Sequence, residues 1–166
     1  MTMMNAARDG DQYFMEIAIA EARLAADRGE VPVGAVIVSG DQIISRAGNR
    51  TIEDCDPTAH AEIVALRTAA AKIRNHRLSG SALYVTIEPC AMCAGAIIQA
   101  RIDRVVYGAD DPNGGAVRSC FSVLDHPRLN HRVDVTSGIL AEEAVSLLRI
   151  FFAVRRVSAL NSSLKY

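Results

Sequence analysis

The feature that most limits how this chain can fold is a set of ligand-type residues split between two places. The first half is His60-Ala61-Glu62, and after a gap of 26 residues comes Pro89-Cys90-Ala91-Met92-Cys93. Each half reads as the opening of a helix that follows a strand or loop, so the fold must bring two helix starts together. Cys90 and Cys93, three apart in a first helical turn, place both sulfurs on one side near the positive end of the helix dipole, which favours thiolates. Pro89 suits that position because a helix N-terminus leaves backbone donors free in any case. His60 supplies a third, neutral ligand. Three protein ligands without an obvious fourth describe a catalytic zinc with an open position for water, whereas structural zinc sites close with four.

Zinc with two thiolates and a neutral imidazole is formally neutral, so water there is less acidified than beside three neutral ligands. A base is therefore needed, and Glu62 is the candidate. Two residues on an ideal helix are about 200° apart, so His60 and Glu62 can face one metal only if His60 lies at an irregular helix start. Asp56-Pro57-Thr58 makes such a start plausible, with Thr58 or a neighbour as the cap. Taken singly, these residues have ordinary readings: a packed histidine, a solvated glutamate, a thioredoxin-like redox pair. A purely structural zinc module would need Cys55 or Cys120 as fourth ligand and would leave Glu62 without a task; packing is the plainer reading of both cysteines.

The rest of the chain alternates helical and strand patterns. Tyr13, Ile17, Ala20 and Leu24 recur at helical spacing up to Gly29; Val33 to Val38 is β-branched and apolar, and Ser39-Gly40-Asp41 turns it into a second strand running from Gln42 toward Asn49. Ile63, Leu66, Ala70 and Ile73 mark a second helix, followed by a strand at Leu83 to Ile87, a short helix from Ala91 and a strand at Arg104 to Tyr107. A loop rich in Asp, Asn and Gly runs from Ala109 to about Cys120. Val133 to Val135 reads as a short strand, and Leu140, Ala144, Leu147, Phe151 and Val154 mark a closing helix. This pattern predicts an α/β protein, a mostly buried sheet with helices on both faces, entered by one antiparallel hairpin.

No repeat or linker divides the 166 residues, so one domain over 11–157 is expected, with loose ends at 1–10 and 158–166. Half the residues are hydrophobic and 22% charged, which argues against disorder. The net charge of −1 leaves any nucleic-acid contact to a local basic surface. No apolar run reaches the roughly 18 residues that span a bilayer, and the first eleven residues lack a leader pattern, so the expected location is the cytoplasm.

Longer blocks narrow the reading. Glu30-Val31-Pro32-Val33-Gly34-Ala35-Val36, Asp56 to Ile63, Leu83 to Ala96, Asn130-His131-Arg132-Val133 and Phe151-Phe152 make the chain, from about residue 13 to 157, resemble the bacterial tRNA-specific adenosine deaminases of the cytidine/deoxycytidylate deaminase superfamily. The resemblance implies a homodimeric enzyme that converts the wobble adenosine of an arginine tRNA anticodon to inosine. It implies the three-layer α/β/α cytidine-deaminase-like fold with a five-stranded mixed sheet, and one Zn²⁺ per subunit on His60, Cys90 and Cys93. Glu62 would be the proton shuttle. Asn49, Asp111, Asn130, Phe152 and Arg156 would contact the extruded base or its neighbours in the tRNA-Arg anticodon stem-loop, with no role for a membrane.

Two departures stand out: Asn113 follows the loop proline where relatives often carry lysine, with Asp110 adding an acid, and the C-terminus lacks the basic tail of some relatives. A free-base deaminase acting on guanine or cytosine would share the zinc motif but close its pocket around a small molecule. On the closing helix, adjacent residues point about 100° apart, so Phe151, on the apolar stripe, is expected in the core and Phe152 off it; the resemblance implies that Phe152 borders the RNA groove.

Overall fold

The computed structural model describes residues 3–163. In chain order it contains α1 (Met3–Asp27), β1 (Gly34–Ser39), β2 (Gln42–Gly48), α2 (Ala61–Ile73), β3 (Ser81–Ile87), α3 (Ala91–Gln99), β4 (Arg104–Ala109), β5 (Asp134–Ser137) and α4 (Ala141–Ser163). The five strands form one sheet in the order β2-β1-β3-β4-β5. β1 pairs antiparallel with both β2 and β3, while β3, β4 and β5 run parallel. The sheet is mixed, as the resemblance implied. Its hairpin closes through Gly40, whose φ of +57° meets the positive dihedral that a two-residue loop requires.

Side chains alternate across the central strands with the period of two that a strand imposes. Ala35, Ile37, Leu83, Val85, Val105 and Tyr107 face α2 and α3, packing with Ala65, Leu66, Ala94 and Ile97. On the other face, Val36, Val38, Tyr84 and Val106 meet Phe14, Met15, Ala18 and Ile19 of α1 and Ala144 of α4. A polar brace crosses this second layer: Asp11 accepts hydrogen bonds from the Tyr84 hydroxyl at 2.9 Å and from Arg104 at 2.8 and 2.7 Å.

Two helix faces differ from the sequence expectation. In α1 the buried row is Phe14, Met15, Ala18, Ala22 and Ala25, whereas Tyr13 and Leu24 are exposed. The reason lies at Gly34, where a Cβ would collide with the Ala18 carbonyl oxygen, so the row with the smallest residues faces β1 and lets the backbones approach. In α4, among the described residues, only Ala144 is fully buried. Phe151 is half-buried and not core, and Val154 is exposed. The backbone is helical over residues 3–10 and 158–163, where the sequence suggested loose ends; residues 1, 2 and 164–166 of those ends lie outside the described residues. Among the described residues no helix is long and apolar enough to cross a membrane.

Candidate active site

α2 and α3 aim their N-termini at one place beside the ends of β1 and β3. His60 is the residue before α2, with φ −67° and ψ 153°, and Cys90 stands before α3 with φ −73° and ψ 174°. Both are extended, so the irregular start required for His60 and Glu62 to face one site is present. The cap differs from the expected one. Asp56 Oδ1 accepts from the Thr58 N–H and hydroxyl, shaping the turn, but the α2 donor at Ala61 is satisfied by Asn49 Oδ1 at 2.9 Å. The Asn49 amide N–H₂ makes no hydrogen bond among the described residues, and the side chain lines the cavity.

His60 Nδ1 lies 3.7 Å from Cys90 Sγ and 3.6 Å from Cys93 Sγ. Zinc bonds of about 2.3 Å to sulfur and about 2.0 Å to nitrogen, at tetrahedral angles, separate such donors by about 3.5 Å. The triad therefore fits zinc as it stands. Among the described residues it is the one cluster of three or more His, Cys, Asp or Glu side chains with donors this close. Cys55 and Cys120 are both exposed and bond to the carbonyls of Ile52 and Pro112, so neither supplies a fourth ligand. Hydrogen bonds from Cys93 and His60 draw the Cys90 thiol down to about 3, and Cys93, hydrogen-bonded to that thiolate and buried, is pushed up. Glu62 is only 3% exposed, and burial raises its carboxyl above the usual range.

These groups open onto a cavity of about 730 Å³. Of the expected substrate contacts, Asn49, Asp111 and Phe152 line it together with Glu62, His60 and Cys90. Asn130 and Arg156 do not; both are exposed, Asn130 between β4 and β5 and Arg156 one turn beyond Phe152. Part of Asp111 is spent within its own loop, since its Oδ1 accepts from the N–H groups of Asn113 and Gly114.

Sequence reasoning missed the residues that hold the loops around this cavity. Glu88, 2% exposed, receives the N–H groups of Val117, Arg118 and Ser119 on Oε1, and the N–H of Asp111 and the Ser119 hydroxyl on Oε2. Burial alone would raise its pKa, but the Ser119 hydroxyl and these backbone donors hold it at about 2. Gly115 completes the arrangement, because a Cβ there would collide with the same carboxylate. Glu30, also buried, accepts from the N–H groups of Ile52 and Glu53 and from the Thr51 hydroxyl. A glutamate just before Pro89-Cys90 was the available signal for Glu88, but pattern reading assigns a charged residue to solvent.

The MafB19-like deaminase family matches residues 8–155. The chain is 50% identical over 145 residues to a tRNA-specific adenosine deaminase of Agrobacterium fabrum, covering 87% of this chain and 95% of that one. It is 44% identical over 142 residues to the Bacillus subtilis protein of the same name, covering 86% and 88%. This chain belongs to the tRNA-specific adenosine deaminases. A solved structure from a study of A-to-I editing by tRNA:A34 deaminases at the wobble position of transfer RNA superposes with a TM-score of 0.79 at 51% identity, covering 82% of this chain and 99% of that one. Guanine deaminase from Nitrosomonas europaea shares the fold at a TM-score of 0.75 and 26% identity, covering 86% and 84%. The family is hydrolytic and releases ammonia, and the triad beside Glu62 is the candidate site for that reaction in this chain.

Proposed function

We propose that this deaminase hydrolyses the wobble adenosine in the anticodon loop of an arginine tRNA to inosine, as a cytoplasmic homodimer with one zinc per subunit. The observation that carries the reading is the buried carboxylate of Glu62 in the same cavity as a His-Cys-Cys triad spaced for zinc. When bound, zinc supplies Lewis-acid activation of water. Glu62 takes a proton from the attacking water and delivers it to the purine ring nitrogen beside the attacked carbon. It then assists the amino group to leave as ammonia, so one water and one adenine give one hypoxanthine base and one ammonia. His60 and the two cysteines would hold the metal, and the helix starts beneath them fix the positions of these three side chains.

The base must leave the anticodon stack to reach Glu62, so the cavity has to receive a nucleotide from a loop and not from duplex. Asn49 is assigned to the base edge through its uncommitted amide nitrogen, Asp111 to the nucleotide beside it, and Phe152 to stacking at the mouth. Asn130 and Arg156, outside the cavity lining, are assigned to flanking nucleotides. An apolar groove between α2 and α3, lined by Ile63, Leu66, Ala70 and Ala96, supports the homodimer as a surface suited to a second copy. The purified protein is incubated with an arginine tRNA transcript carrying adenosine at the wobble position, and the product is sequenced for inosine. Free guanine and free adenine are run alongside; efficient deamination of guanine with an unchanged tRNA would replace this reading by that of the guanine deaminase neighbours.

A further inference from the structure

The charge balance of the cavity is lopsided. Among the described residues four acids line it, Glu62, Glu88, Asp110 and Asp111, against one Lys or Arg side chain, Arg149 of α4. The acids of the loop are already answered locally: Arg118 pairs with Asp110 at 2.9 Å, and Asp111 is held by backbone N–H groups. Arg149 is exposed and makes no ion pair or hydrogen bond among the described residues. Its helix neighbour Arg155 is committed, donating to the Gly29 carbonyl at 2.9 Å and lying 4.8 Å over the Phe151 ring. Arg149 and Phe152 sit three residues apart on one helix, hence on one face, with Leu148 completing the side of α4 that meets the cavity.

A cation beside an aromatic ring at the mouth of a cleft is the pairing that single-stranded nucleic acid uses: the ring stacks a base and the cation meets the backbone. A nucleotide inserted toward Glu62 brings a phosphodiester on either side of it, into a mouth whose other charged side chains among the described residues are acidic. We propose that Arg149 binds a phosphodiester flanking the inserted nucleotide, and so makes the cavity select a polynucleotide over a free base. The assignment rests on the RNA-loop reading of the site. A guanidinium suits it, because it stays charged and offers two parallel donors to phosphate oxygens.

The test uses a short RNA stem-loop with adenosine at the wobble position and the full-length zinc-loaded protein. KM, kcat and Kd are measured across a salt series for the natural chain and for R149A, R149Q and R149K. Removing one phosphate contact should raise KM and Kd by roughly three- to tenfold at moderate salt, and should flatten the slope of log K against log salt by about 0.7 to 0.9. R149K should recover most of the slope and R149Q none, while melting temperature and zinc content stay at their natural values. If the natural chain deaminates the stem-loop but R149A keeps its KM and salt slope, or loses only kcat, Arg149 is not a phosphate ligand and the functional reading survives. If R149Q matches R149K, the contact is not one of charge and the proposal is overturned. If the natural chain neither binds nor deaminates the stem-loop, the functional reading fails and the phosphate assignment with it.

Discussion

Glu62 and Phe152 line the same cavity, yet Glu62 is 3% exposed and Phe152 42%. That contrast runs through the whole site. Its floor, His60, Glu62, Cys90 and Cys93, rests on two helix starts packed against the sheet, so any change there meets close-packed neighbours. Its rim is made of α4 beyond its buried turn and of the loop from Asp110 to Cys120, both reaching into solvent. A buried carboxylate tied to five donors, Glu88, joins the two regions. The division suggests that the floor sets the chemical step and the rim sets which substrate reaches it, and each half of that statement can be broken separately.

The largest effect is expected on the floor. Glu62→Gln keeps the shape of the side chain and removes its basicity, so the protein should fold, hold zinc and lose at least 10² to 10⁴-fold in kcat, the range typical of general acid/base groups. Metal analysis and single-turnover kinetics check it. A variant with natural kcat would erase the distinction between floor and rim, because the carboxylate beside the triad would then be dispensable.

Glu88 should come next, and it affects both regions. Glu88→Ala strands buried backbone donors of the 111–119 loop, at a cost of about 2–4 kcal/mol, since hydrogen bonds to a charged group are the stronger kind. Melting temperature should fall and KM for the RNA stem-loop should rise more than kcat falls, because the loop carries rim residues and no ligand. Glu30→Ala frees three donors in place of five and should cost less. Should Glu30→Ala prove the more damaging variant for KM, the 51–53 loop and not the 111–119 loop would be the wall that matters.

The clustering of His60, Cys90 and Cys93 was legible in the sequence because residues of these types at these spacings, with His60 and Cys90 opening helices, converge on one point. The alternation of strands and helices was equally visible, since buried strands of β-branched residues leave a strong signal. Less could be read where the decision depends on tertiary approach. The buried face of α1 is chosen by Gly34 of β1, a residue distant in sequence from Ala18. Asn49 reads as a strand-end residue and becomes both cap and cavity wall only once α2 packs beside it. Glu88 defeats pattern reading altogether, because the donors that make its burial affordable lie 23 to 31 residues away.

On the rim, Phe152→Ala should leave zinc and melting temperature unchanged and weaken stem-loop binding by about tenfold, in line with roughly 1–3 kcal/mol for an aromatic ring that stacks a base. The adjacent residue gives the smallest and most discriminating effect. Were Phe151 in the core, its loss would open a cavity costing roughly 3–5 kcal/mol. Its ring is instead half-buried, edge-on to Phe152 at 5.5 Å between centroids and covered on one face by Arg155 at 4.8 Å. Truncation there removes partial burial and an exposed cation–π contact, worth about 0.5–1 kcal/mol, so Phe151→Ala should cost only about 1–2 kcal/mol. Because Arg155 also ties α4 to the Gly29 carbonyl, that small loss should be accompanied by faster amide exchange in the outer turns of α4 and not in α1. Melting curves and hydrogen exchange on the two phenylalanine variants decide it: a loss near 4 kcal/mol for Phe151→Ala would move the boundary between floor and rim outward along α4 by two turns.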